Sequence, residues 1–188
     1  MASHRFTNCY RASDRVSQYL IKNVIYRGSQ DPAEVLFRIL LFKFFNRIST
    51  WELLQAALGD PAWATFRFDR FDRVMHEAIA RRERLYSSAY VIPPPPLGAR
   101  RKHTYHLLLL QKMLRDELHS QLQTSASMAE GVEILREYPG IGDFLAFQLA
   151  TQNQSSADAS LSPSPTKPLL IAQAMAPRKL SWSALAIS

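Results

Sequence analysis

A turn between two apolar helical segments carries residues that could bind an anion through the protein backbone. The segment ILREYPGIGDFLAFQLA contains at this turn Pro139, Gly140, Ile141 and Gly142. Because glycine has no Cβ, the two glycines allow a sharp turn and the close approach of a ligand. The next helix begins with N–H groups that have no partner within the helix, and such a helix start accepts a phosphate oxygen. The alternative is a connection that serves packing only, unless the carboxylate of Asp143 points away from the phosphate.

A compact cationic run stands at the predicted start of another helix and consists of Arg100, Arg101, Lys102 and His103. Cations are unfavourable at a helix N-terminus, where the helix dipole is positive, so a bound anion would relieve an electrostatic cost. The alternative is a charged run that is simply solvated. The run is therefore a candidate contact to phosphate.

Signatures of metal, cofactor or nucleoside-triphosphate chemistry are missing from the sequence. It contains no GK[ST] element, so a Walker-type phosphate loop is not encoded. His103 and His106 are spaced to share one helix face, but neither a cysteine nor a carboxylate cluster accompanies them. We therefore predict neither a metal site nor a bound cofactor.

The charge balance favours a polyanionic partner. The 188 residues include 23 Lys and Arg against 16 Asp and Glu, which gives a net charge of +7. The single cysteine, Cys9, excludes a disulfide framework and fits a reducing compartment. No apolar run approaches the ~18 residues of a bilayer helix, and the polar start of the chain is unlike a signal peptide. These features predict an intracellular protein without a membrane partner, nuclear if the cell is eukaryotic and the partner is DNA.

Composition divides the chain near residue 152. Residues 6–151 are helix-patterned and rich in Leu, Phe, Ile and Arg, whereas residues 152–188 consist mainly of Ser, Ala, Pro and Gln. Such a composition cannot bury enough apolar surface to fold. We predict a helical domain over 6–151 and a disordered tail over 152–188.

Hydrophobic periodicity and capping residues predict an all-α, irregular bundle of about seven helices. The second helix opens at Asp31 and Pro32, an N-cap followed by proline in the first turn. Its residues are apolar on all sides except at Arg38 and Lys43, which places it at the centre of the domain. The predicted ranges are 13–25, 31–46, 49–59, 69–84 and 102–122, followed by two helices that flank the turn at 138–142.

Two of these helices carry specific signals. Ser49 and Glu52 stand at capping-box spacing at the start of the third helix, and Gly59 is its stop signal. The fifth helix carries at helical spacing, on its predicted buried side, Leu107, Leu110, Leu114 and Leu118.

The turn at 138–142 and its flanking helices resemble the helix-hairpin-helix motif of DNA repair glycosylases. The resemblance rests on Leu135 and Tyr138 before the turn, on the sequence PGIG, and on Ala146 and Leu149 after it. It implies that Ile141 fills the space between the two helices and that the small Ala146 lets them pack closely. It also implies a DNA-glycosylase-like arrangement of the bundle.

A longer resemblance covers residues 6–151. The stretches FTNCYRASDRVSQYLIKNVIY, LFRILLFKFFNRISTWELL, YSSAYVIPPPP and RKHTYHLLLLQKM occur in this order before EYPGIGDFLAFQLAT. Together they resemble the helical domain of 5-hydroxymethyluracil DNA kinases. That domain is similar to the alpha-glutamyl/putrescinyl-thymine pyrophosphorylases, a glycosylase-like group. The box NR-x-x-TWE at residues 46–52 is the most distinctive part.

The longer resemblance implies a protein that handles a modified pyrimidine in DNA, with the base extruded into a pocket between helices. The candidate pocket residues are Tyr10, Arg11, Asp14, Asn46, Arg47, Trp51 and Tyr90. Each has a structural alternative. Arg11 and Asp14 could belong to a surface ion-pair ladder, Asn46 and Arg47 could cap a helix, and the aromatic residues could belong to the core.

The acid that catalysis would require is not evident. Helix-hairpin-helix glycosylases place an aspartate on the helix after the hairpin, whereas here the only acid beyond residue 151 is Asp158, in a Ser/Pro-rich stretch. A loosely held carboxylate cannot supply preorganised charge stabilisation. We therefore predict a DNA-binding domain related to enzymes that modify 5-hydroxymethyluracil-type bases, but catalytically incomplete. The alternative is a helical scaffold or protein-interaction module that does not bind DNA.

Overall fold

The computed structural model describes residues 14–88 and 101–150, and all regular structure within these ranges is helical. This confirms the predicted all-α class. Within the same ranges, no helix is long and apolar enough to span a bilayer. The predicted tail at 152–188 lies outside the described residues. The helices are α1 (Arg15–Tyr19), which continues as a π-helical segment (Leu20–Ile25), α2 (Pro32–Phe45), α3 (Ile48–Leu58), α4 (Phe68–Ala80), α5 (Lys102–Arg115), α6 (Leu118–Thr124), α7 (Met128–Arg136) and α8 (143–150).

The second helix lies at the centre of the domain, as predicted. Every residue from Val35 to Phe45 is buried. The helix begins where the sequence indicates, because the Asp31 carboxylate accepts the N–H groups of Ala33 and Glu34 at 2.9 and 3.3 Å. The π-helical segment, α3, α5 and α6 all contact α2. A helix without a polar face is stable in water only when neighbours cover it on all sides.

The two polar residues of α2 are buried as well, and this corrects the expectation that they interrupt its apolar surface. Arg38 is 4% exposed and Lys43 is 5% exposed. The Arg38 guanidinium donates hydrogen bonds to the carbonyls of Val24, Ile25 and Ser29 at 2.9, 3.3 and 2.6 Å. These carbonyls lie at and just beyond the end of the π-helical segment, where a helix leaves them without partners. Arg38 therefore fastens the first helical stretch to the central helix.

Two predicted helices have different ends in the structure. The capping box of the third helix does not form: Arg47 occupies the N-cap position of α3 without a side-chain cap, and its Nε donates to Ser49 Oγ at 2.7 Å. The fourth helix was predicted to reach residue 84, but α4 ends at Ala80 because Arg82 takes a left-handed backbone with φ of 62°. The predicted stop at Gly59 is confirmed.

The predicted fifth helix at 102–122 is broken into α5 and α6. Glu117 has a left-handed φ of 54°, and the chain changes direction between Asp116 and Leu118. The break brings Leu118, and Leu122 one turn later, into the core, while Leu107, Leu110 and Leu114 are buried along α5 as predicted. Burial of leucines on two short helices therefore outweighs the cost of a non-glycine residue in the left-handed region.

We expect the Arg38→Met variant to lose about 2 to 3 kcal/mol of unfolding free energy, because three buried carbonyls would lose their donors. Equilibrium urea denaturation measures this change. The matched control is Arg27→Met, at an exposed arginine, for which we expect a change within about 0.5 kcal/mol. Equal stability of the two variants would contradict this role of Arg38.

Candidate nucleic-acid site

The turn at residues 138–142 has the shape that its sequence predicts. The N–H of Ile141 donates to the Tyr138 carbonyl at 3.1 Å, and Gly140 has a φ of 82°, in the left-handed region that favours glycine. The next helix starts directly, because the Ala146 N–H donates to the Gly142 carbonyl at 2.9 Å. Ile141 and Ala146 are 5% and 0% exposed, so both fill the space between the helices. We call residues 138–143 the hairpin.

The two glycines of the hairpin have different roles. Gly140 is required by its backbone angle, whereas Gly142 has no left-handed φ. A Cβ built on Gly142 would meet no heavy atom within 4 Å. Nothing in the described part of the chain therefore requires glycine at 142, and the space beside it is open at the start of α8.

The carboxylate of Asp143 pairs with the helix before the hairpin. Arg136 Nε lies 2.8 Å from Asp143 Oδ1, and the same arginine also donates to Glu133 at 2.9 Å. The arginine neutralises the acid that the sequence places beside the candidate phosphate position. Asp143 is therefore an ion-pair partner that links α7 to α8.

A buried tyrosine fixes the hairpin to α5. The Tyr105 hydroxyl donates to the Pro139 carbonyl at 3.0 Å, and Tyr105 is 1% exposed. Tyr105 lies one helical turn after Arg101, at the end of α5 where the cationic run stands. The hairpin and this end of α5 are thus held together by one side chain.

The cations at the start of α5 have specific partners. Arg101 donates to His76 Nε2 at 3.1 Å, and Lys102 Nζ lies 4.3 Å from the centre of the Tyr86 ring. Partial burial lowers the pKa of Lys102. No carboxylate lies within ion-pair distance of either cation among the described residues. Arg100 lies outside the described residues.

The sequence gave no warning that the two histidines of α5 are core residues. His103 and His106 are 1% and 0% exposed. His106 Nδ1 lies 2.9 Å from the Tyr86 hydroxyl, and its ring stacks on Phe44 at 5.3 Å between centroids. Asp72 accepts from Thr104 at 2.7 Å and lies 3.4 Å from His103. The i, i+3 spacing placed the histidines on one face, but only the leucines of that face signalled that it is buried.

The predicted pocket residues that the structure describes gather where α2 ends and α3 begins. Asn46 has a left-handed φ of 47° and caps α2, since its N–H donates to the Phe42 carbonyl at 2.7 Å. Trp51 is 3% exposed and packs on Phe42, with 6.2 Å between ring centroids. Arg47 is half-buried at the same corner. Tyr10, Arg11 and Tyr90 lie outside the described residues.

Asp14 is the N-cap of α1. Its carboxylate accepts from the N–H groups of Val16 and Ser17 at 2.8 and 3.0 Å, and from the Ser17 hydroxyl at 2.6 Å. Burial opposes ionisation of Asp14, but these hydrogen bonds and the charge of Lys43 outweigh it and hold its pKa below the usual value. Asp14 is thereby tied to the buried lysine of α2, four residues before Arg47.

Comparison with known protein families gives one match. Residues 1–163 match the family described as "5-hmdU DNA kinase, helical domain". The matched segment runs past the boundary that we predicted at 151 and includes Asp158. No curated protein and no solved structure matches the chain. Within the described residues, no group of three or more potential metal ligands comes together.

We expect the stability of the domain to fall between pH 6.5 and pH 5 because of His106. Burial, with smaller contributions from the charges of Lys102 and His103, lowers the pKa of His106 from 6.5 to about 3. In this interval the unfolded chain takes up a proton at residue 106 that the folded chain excludes, so the unfolding free energy decreases as the pH falls. The expected loss from His106 alone is about 2 kcal/mol.

Urea denaturation at the two pH values tests this expectation. The control is His106→Gln, which keeps a hydrogen-bonding group opposite Tyr86 but does not titrate. Its stability should fall by about 2 kcal/mol less over the same interval. Identical pH dependence in the two proteins would show that His106 is not the group responsible.

Proposed function

This chain belongs to the family of 5-hmdU DNA kinase helical domains, and on that basis we propose that it binds DNA that carries 5-hydroxymethyluracil-type bases. The observation that carries the proposal is the open backbone at Gly142. A helix starts there without a side chain between its first N–H groups and solvent. Backbone N–H groups in this arrangement are donors for a phosphate oxygen.

The charges around the hairpin support the proposal. Asp143, the one acid within the hairpin, is neutralised by Arg136 at 2.8 Å. Arg101 is exposed and has an imidazole, not a carboxylate, as its described partner, so its positive charge remains available. Because Tyr105 joins the hairpin to the end of α5 that carries Arg101, both features can contact one DNA backbone.

The proposal assigns binding, and no bond-making step, to this chain. The sequence lacks the GK[ST] element of a Walker-type phosphate loop, and the acid after the hairpin, Asp158, lies outside the described residues. The likeness of the hairpin to that of DNA glycosylases belongs to the proposal, as does a nuclear location in a eukaryotic cell. A scaffold or protein-interaction module is the second candidate function, and an absence of DNA binding at low salt would favour it.

We expect binding to duplex DNA to weaken about 100-fold between 50 and 200 mM salt, as for a protein that makes about four phosphate contacts. Fluorescence anisotropy with a labelled duplex, with and without 5-hydroxymethyluracil, measures the affinity at each salt concentration. An affinity that does not change with salt, or no binding at 50 mM salt, would remove DNA from the proposed function.

We expect Gly142→Asp to reduce DNA affinity about tenfold or more without a loss of stability. Aspartate is a favourable N-cap residue, so the start of α8 is preserved, while its charge repels phosphate at the same position. The control is Gln123→Glu, which changes the net charge equally at an exposed position on α6. If both variants bind DNA equally well, and their melting temperatures match that of the wild type, the hairpin is only a structural turn.

A further inference from the structure

The corner between α2 and α3 contains a hydrogen-bond donor that the protein does not use. Trp51 is 3% exposed, and its indole N–H has no acceptor. A buried donor without a partner costs free energy and is uncommon in folded proteins. An acceptor supplied by a ligand would remove this cost.

Arg47, Thr50 and Trp51 share one face of α3, because they are spaced three and four residues apart. All three line the same narrow depression, whose remaining walls are apolar and come from Leu41, Phe42, Phe45 and Leu54. The Thr50 hydroxyl donates its proton to the Leu85 carbonyl at 2.7 Å, so toward a ligand it can only accept. Arg47 and Trp51 can only donate. The depression thus presents two donors and one acceptor between flat apolar walls.

Access to the depression is controlled by Arg47. Every other lining residue is buried, and Arg47 is half-buried, so it forms the boundary with solvent. No water molecule fits inside while Arg47 holds its position, in which its Nε donates to Ser49 Oγ at 2.7 Å. Since Ser49 is exposed, this bond can be exchanged for bonds to water when the arginine turns outward.

We propose that outward movement of Arg47 opens this corner as a pocket for a uracil-type base. The carbonyl oxygens of the base accept hydrogen bonds from the Trp51 indole and the Arg47 guanidinium, and its ring N–H donates to Thr50 Oγ1. A cytosine-type base does not fit the same groups, because its amino group is a donor and its ring nitrogen an acceptor. The inference rests on the proposed function and adds to it the base class and the residues that select it.

Two single-stranded oligonucleotides that differ in one base test the inference. One carries 5-hydroxymethyl-2′-deoxyuridine and the other 5-hydroxymethyl-2′-deoxycytidine at the same position, and each is titrated into the full chain. We expect the uracil-type oligonucleotide to bind about tenfold more tightly, since the cytosine-type base leaves buried groups unpaired. In a ¹⁵N–¹H spectrum, the indole proton of Trp51 should shift downfield with the uracil-type oligonucleotide alone.

Trp51→Phe should abolish the difference between the oligonucleotides, because it keeps an aromatic ring and removes the N–H. The matched control is Trp63→Phe, which removes an indole N–H elsewhere and should leave the difference unchanged. If Trp51→Phe does not fold, Arg47→Lys replaces it, since lysine keeps the charge but lacks the planar donor pair and should also reduce the difference.

Equal affinity for the two oligonucleotides, together with an unmoved Trp51 signal, would overturn the inference and leave the proposed DNA binding intact. Absence of binding to both oligonucleotides and to duplex DNA at 50 mM salt would instead overturn the proposed function, and this inference with it. A difference in affinity that persists in Trp51→Phe and in Arg47→Lys would place base selection elsewhere in the chain.

Discussion

The complete burial of α2 is the constraint on which the rest of the domain depends. A helix that is apolar on every side must be enclosed, so the π-helical segment, α3, α5 and α6 are held against it. Its two polar side chains must then be satisfied inside the protein. Arg38 meets this requirement by taking three carbonyls of the first helical stretch, and so it converts a desolvation cost into a link between two elements.

Both candidate parts of the nucleic-acid site depend on this central helix. At its C-terminal end, Asn46 turns the chain with a left-handed backbone, and α3 begins beside the ring of Phe42. On another side, α5 packs on α2 through the stack of His106 on Phe44, and its Tyr105 reaches the Pro139 carbonyl of the hairpin. The position of the hairpin is therefore transmitted from α2 through α5.

Unsatisfied polar atoms within the described residues mark where the interior differs from an ordinary core. The indole N–H of Trp51 and the Nε2 atoms of His103 and His106 are buried without hydrogen-bond partners. The histidines can avoid a charge by remaining neutral, and the lowered pKa of His106 reflects this. Trp51 has no such alternative, because its N–H cannot be lost at ordinary pH. This difference is why a ligand is a better explanation at the α3 corner than in the interior of α5.

Local patterns in the sequence were sufficient for the features that depend on neighbouring residues. The N-cap at Asp31, the central place of α2, the stop at Gly59, the leucine face of α5 and the tight turn around Gly140 were all predicted correctly, because each is encoded by residues within about one helical turn. The hairpin and the family were likewise recognisable from the order of short motifs.

Features that depend on distant residues became visible only in the folded chain. Arg38 finds carbonyls nine to fourteen positions away, and Tyr105 finds Pro139 thirty-four positions away. The left-handed Glu117, which divides the predicted fifth helix, is imposed by burial of Leu118 and not by any local signal. Propensity and periodicity describe one element at a time, whereas these contacts arise from how elements pack, so they follow from the tertiary structure alone.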